Sequence, residues 1–91
     1  MLGGSGRVIM VSGASRGLGL AIAKRLHEAG FTVAAGARNP AAVTVTDRLS
    51  ADRYDAEEAG SAEAWVEAVA ARYGRIDGLV NCAGINPKVR V

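Results

Sequence analysis

Two kinds of apolar spacing alternate along this chain. Arg7-Val8-Ile9-Met10-Val11 is an almost continuous apolar run, β-branched at three positions and flanked by Gly6 and Gly13, which predicts a short buried strand. From Leu18 the spacing changes: Leu18, Ile22, Leu26 and Ala29 fall at i, i+4, i+8 and i+11, the signature of a helix over 18–29. Gly30 stands where a helix C′ residue is needed. Phe31-Thr32-Val33-Ala34-Ala35-Gly36-Ala37 returns to strand composition. Val8 to Ala37 is 30 residues, the length of a βαβ crossover, whose two strands are parallel neighbours with right-handed connection.

The middle of the chain is less periodic. Asn39-Pro40 has the form of an N-cap followed by proline at the first helical position. Val43-Thr44-Val45-Thr46 is β-branched throughout and poor helix material, so a short or frayed helix is expected. A third strand is expected over Asp52-Arg53-Tyr54-Asp55. Ser61 is expected to cap a helix that carries Glu63 in its first turn. Ala62, Trp65, Val66, Val69 and Tyr73 are expected on one face, with Gly74 as the stop. Ile76-Asp77-Gly78-Leu79-Val80-Asn81 reads as the last strand, closed by Ala83-Gly84. These elements predict an α/β fold: a Rossmann-type parallel sheet in strand order 3-2-1-4, with helices on both faces. The order reverses between strands one and four, and ligands bind beyond the carboxyl ends of strands at such a switch point. The turns there are 12–19 and 81–85.

Composition narrows the picture. Hydrophobic residues are 49% and charged residues 22%, values of a globular domain rather than a disordered one. The net charge is +2 with nine scattered arginines, so neither a nucleic-acid stripe nor a membrane-binding face is expected. No stretch approaches a membrane span. Residues 1–6 read as a flexible leader, and 7–91 as one small domain. The single Cys82 leaves no internal disulfide and suits a reducing compartment, the cytoplasm.

Candidate chemistry concentrates in Ser12-Gly13-Ala14-Ser15-Arg16-Gly17-Leu18-Gly19. A strand-to-helix turn of this kind gathers free backbone N–H groups and the positive end of a helix dipole, which suits a pyrophosphate. Gly13 would allow the tight exit from the strand, Gly17 close approach to a phosphate, and Gly19 close helix packing. The simpler alternative is an ordinary connection. Strand two then indicates which nucleotide. A carboxylate at its end would accept from ribose hydroxyls, but this strand ends Gly36-Ala37-Arg38. A guanidinium suits a 2′-phosphate, and Arg16 could reach it from the glycine turn. The simpler alternative is a solvated loop cation for Arg38 and an exposed turn residue for Arg16, and the pair together favours the phosphate. The glycines are not followed by Lys-Ser/Thr, which excludes a P-loop.

These residues resemble the short-chain dehydrogenase/reductases. Gly13-Ala14-Ser15-Arg16-Gly17-Leu18-Gly19 is similar to that family's Gly-x-x-x-Gly-x-Gly element, and Asn81-Cys82-Ala83-Gly84 to its Asn-Asn-Ala-Gly element. The resemblance runs from Arg7 to Ile85. It implies that Ser15, Arg16, Gly17 and Leu18 contact phosphates. Asp55 and Ala56 would border an adenine, while Asn81, Ala83, Gly84 and Ile85 would line the ribose and nicotinamide. Arg16 with Arg38 is similar to the pattern of members that prefer NADP(H) over NAD(H). The implied activity is hydride transfer with a small carbonyl or alcohol substrate, in a protein that forms homo-oligomers when complete.

The sequence departs from the family at two places. Ser12 replaces a Thr and keeps its hydroxyl, and Cys82 replaces the second Asn and reads as a small buried residue. His27 is expected on the polar side of the first helix. Tyr54 and Tyr73 are followed four residues later by Glu58 and Asp77, so neither is the family's Tyr-x-x-x-Lys. None of the 91 residues is expected to be catalytic, and no metal site is expected. Three readings stay open: the N-terminal portion of an NADP(H)-dependent oxidoreductase, a non-catalytic nucleotide-binding or sensor module, and a structural fragment completed by another chain.

Overall fold

A computed structural model describes residues 6–14 and 17–82. They form β1 (Val8–Ser12), α1 (Gly17–Glu28), β2 (Thr32–Ala37), a 3-10 turn (Pro40–Ala42), β3 (Leu49–Arg53), α2 (Ser61–Tyr73) and β4 (Gly78–Asn81). All strand pairs are parallel, in the order β3-β2-β1-β4, as the alternating pattern predicts.

Residue alternation along each strand sends side chains to two separate cores. Ile9 and Val11 face the side where Ala23, Ile22 and Leu26 of α1 pack, together with Val33, Ala35 and Ala37. Val8 and Met10 face the other side and pack with Ala34 and with Trp65 and Val69 of α2. Helices therefore cover both faces. The composition of β2 follows from the second core. Alanine and glycine are poor strand formers, yet a Cβ at Gly36 would lie 2.6 Å from the Trp65 ring. Small side chains on this central strand make room for the indole.

The α1 terminator is as predicted. Gly30 has φ +100°, and Phe31 N–H donates to the Leu26 carbonyl (3.1 Å) while Gly30 N–H donates to that of His27 (3.1 Å), a Schellman closure. Gly74 closes α2 in the same left-handed region at φ 78°.

Elsewhere the structure corrects the expected boundaries. β1 is shifted one residue later and α1 one residue earlier, while β2 starts at Thr32 and β4 at Gly78. The buried stripe of α1 centres on Gly19 and Ala23, leaving Leu18 60% exposed, because the helix is drawn in at its glycine rather than its leucine. The third strand is Leu49–Arg53, with Tyr54 and Asp55 beyond it. Its register, Val33↔Leu49 to Ala37↔Arg53, is set by Leu49 and Ala51 packing into the α1-side core, two anchors too sparse to read as a strand. The helix expected after Asn39 is only the 3-10 turn, and Asn39 makes no side-chain cap bond. Gly60, not Ser61, is the N-cap of α2. The Ser61 hydroxyl instead accepts from Asp55 N–H at 2.9 Å. Val66, expected inside, is exposed, since the buried stripe runs Ser61, Trp65, Val69. His27 is half-buried, with Nε2 2.8 Å from Thr46 Oγ1.

The start of β4 is clamped to β1 by Asp77. Its carboxylate accepts from Val8 N–H (2.7 Å), its own N–H donates to the Val8 carbonyl (2.8 Å), and Arg75 grips it through Nη2 at 2.6 Å. The Arg75 guanidinium, and then the Val8 N–H, hold the Asp77 carboxyl below its usual range. A depressed carboxyl adds stability above its ordinary titration range and loses it as the pH falls through the native value. Asp77→Asn should therefore be less stable than the parent at neutral pH. The gap should close as the pH falls through and below the ordinary carboxylate range, as followed by denaturant unfolding at each pH.

Candidate functional site

The carboxyl ends of β1 and β4 lie side by side, with Ser12 paired to Asn81 in the register. The Ser12 hydroxyl donates to Asn81 Oδ1 (2.8 Å) and accepts from Cys82 N–H (2.8 Å). The hydroxyl that stands in place of the family's threonine thus bridges the switch point. Cys82 is half-buried and free and joins this bridge through its backbone.

Three glycines shape the turn that leaves β1. Gly13 and Gly17 have φ of +65° and +64°, a region that costs an L side chain about 1–2 kcal/mol. Gly19 is held by contact rather than by φ. A Cβ there would lie 2.0 Å from the Gly13 carbonyl oxygen and 3.2 Å from the Ala14 Cα, so the first turn of α1 rests directly on the backbone of the turn. Ala14 N–H donates to the Gly36 carbonyl (3.2 Å), tying the turn to β2 as well. The space a Gly17 side chain would occupy is open among the described residues. The first helical turn has no acidic residue, so no carboxylate of that turn competes for the N-terminal amides. A glycine-walled cradle at a helix N-terminus suits an anionic group such as a pyrophosphate.

The other predicted residues divide. Arg38 follows the end of β2, exposed and without an ion pair among the described residues. Leu18 is exposed on the first turn of α1. Asp55 lies in the β3–α2 loop, where its Oδ1 accepts from Glu57 N–H at 3.0 Å, and Ala56 is exposed beside it. Asn81 sits at the mouth, its amide oxygen engaged by Ser12. Ser15, Arg16, Ala83, Gly84 and Ile85 lie outside the described residues. A cavity of about 70 Å³ on the α2 side adjoins this mouth and is lined by Met10, Ser12, Tyr54, Trp65, Leu79 and Asn81, among others. Two residues went unrecognised in the sequence: Asp77 as the clamp of β4, and Arg53, whose side chain reaches the Arg38 carbonyl (3.2 Å). Arg53 became legible only once the β2–β3 register was known.

Comparison with known proteins agrees with this geometry. The model of the short chain dehydrogenase family matches residues 7–91. The chain belongs to that family. It is 43% identical over 89 residues to the agropine synthesis reductase of Rhizobium rhizogenes, covering 92% of this chain and 21% of that protein. It is 40% identical over 88 residues to the D-threitol dehydrogenase of Mycolicibacterium smegmatis, covering 88% of this chain and 34% of that one. A metagenomic short-chain oxidoreductase solved in complex with NADP superposes with a TM-score of 0.78 at 34% identity, covering 90% of this chain and 41% of that structure. The chain thus spans roughly a fifth to two fifths of the length of these three relatives. No helix among the described residues is long and apolar enough to cross a membrane.

The contact at Gly19 is directly testable. Gly17→Ala should lose about 1–2 kcal/mol of stability, the cost of a left-handed L residue with room for its methyl. Gly19→Ala should lose more, because a Cβ 2.0 Å from a backbone oxygen forces the helix off the turn. Denaturant unfolding of the two variants would check that ranking.

Proposed function

We propose that this chain is the cofactor-binding part of an NADP(H)-dependent oxidoreductase that transfers hydride between a nicotinamide and a small carbonyl or alcohol. The observation that carries the choice of NADP(H) is local. β2 runs into Ala37-Arg38 with no carboxylate at its end, beside the glycine cradle of Gly13, Gly17 and Gly19. A carboxylate at this point would favour ribose hydroxyls and repel a 2′-phosphate, whereas a guanidinium favours the phosphate by charge-assisted hydrogen bonds. Support also comes from the similar short-chain oxidoreductase solved with NADP.

The cradle residues would hold the pyrophosphate, with Ser15, Arg16 and Leu18 at its edge. Arg38 would hold the 2′-phosphate, Asp55 and Ala56 the adenine side, and Asn81, Ala83, Gly84 and Ile85 the ribose and nicotinamide side. The nicotinamide would supply or accept the hydride when bound. Ser12 contributes by holding Asn81 and the Cys82 amide at the mouth. Proton transfer is assigned to none of these 91 residues, in keeping with the absence of a Tyr-x-x-x-Lys. The same reading places the protein in the cytoplasm, which suits its single free cysteine, and makes the complete protein a homo-oligomer.

Calorimetric titration of NADP⁺ and NAD⁺ at fixed ionic strength tests the cofactor choice. The parent should bind NADP⁺ more tightly. Arg38→Ala should weaken NADP⁺ by about ten- to a hundredfold, the size of a lost hydrogen bond to a charged group, and leave NAD⁺ almost unchanged. Equal affinities in the parent, or an unaffected Arg38→Ala, would contradict the assignment.

A further inference from the structure

Arg53 ends β3 opposite Ala37, the last residue of β2. Strand alternation fixes its side. Leu49 and Ala51 pack into the core beneath α1, while Ser50 and Asp52 bond to Arg72 of α2 at 3.2 and 2.9 Å. Arg53 therefore falls on the α1 side, where the glycine cradle also lies.

Its guanidinium uses two nitrogens on two loops. Nη1 donates to the Arg38 carbonyl at 3.2 Å, and Nη2 pairs with Glu58 Oε1 at 3.1 Å. The side chains of Arg53 and Glu58 are 54% and 53% exposed, and ion pairs this exposed contribute little to stability. The geometry has a more specific consequence. Glu58 anchors the fork from the β3–α2 loop, and the other arm of the fork fixes the peptide that follows the Arg38 Cα. That restricts how the Arg38 side chain leaves the backbone.

We propose that Arg53 is a positioning residue for cofactor discrimination: by holding the Arg38 carbonyl, it orients the Arg38 guanidinium toward a 2′-phosphate. The inference rests on the NADP(H) reading above. It requires the planar fork of arginine, because a lysine ammonium is a single point charge and cannot span a carbonyl and a carboxylate from two separate nitrogens. Arg53 belongs to none of the motifs that carry the family resemblance. Its role comes from the β2–β3 register of this chain.

The test is calorimetric titration of NADP⁺ and NAD⁺ against the parent, Arg38→Ala, Arg53→Ala and Arg53→Lys. Arg53→Ala should weaken NADP⁺ by about tenfold, with NAD⁺ within about twofold of the parent. Arg53→Lys keeps the charge and should still lose most of that tenfold. Equal weakening of both cofactors in Arg53→Ala would mean a merely structural role and overturn the inference. So would parental NADP⁺ affinity in Arg53→Lys, which would make charge alone sufficient. If Arg38→Ala weakens NADP⁺ and Arg53→Ala does not, this inference fails by itself. If Arg38→Ala has no effect, the NADP(H) reading fails with it.

Discussion

Ser12 ends the central β1 strand, and its hydroxyl joins the two loops between which a ligand would lie. It donates to Asn81 Oδ1 and accepts from the Cys82 amide, contacts that join residues 69 and 70 positions apart in the chain. β4 needs them. Among the described residues it has one strand neighbour, β1, and it is only four residues long. Asp77 secures its amino end to Val8 and Ser12 secures its carboxyl end. Between these two points the parallel ladder sets the crevice at the switch point.

The glycine turn is braced against the same strand end. Gly19 lets α1 start on the Gly13 carbonyl, and the Ala14 amide bonds to β2. Through Gly13, Ala14 and Gly19 the described part of the turn is consequently tied to β1, β2 and α1. On the far face the chain is less finished. Leu79 and Val66 are 60% and 44% exposed around the small cavity beside Trp65. The indole Nε1 is buried there without a hydrogen-bond partner among the described residues.

Legibility in the sequence followed the strength of local signals. The strand order, both helices and their glycine terminators were readable, because apolar period and C′ glycines are short-range features. The glycine turn was readable for the same reason. The third strand was misplaced because Leu49 and Ala51 are its only apolar anchors, while neighbouring Tyr54 carries a stronger strand signal. Ser61 looked like a cap, but its hydroxyl serves the Asp55 loop instead. Arg53 could not be found from sequence at all. Its contact with Arg38 depends on a register between strands whose ends had to be placed within one residue.

The central claim is that a nucleotide lies in the crevice between the glycine turn and the end of β4, with Arg38 at its far edge. Amide chemical-shift mapping of the ¹⁵N-labelled protein during NADP⁺ titration tests this most directly. The account predicts saturable shifts at Gly13, Gly17, Gly19, Arg38 and Cys82, with the amides of Val66 and Val69 on α2 unmoved. Shifts centred on Trp65, Val66 and Leu79 with the glycine turn silent would contradict it.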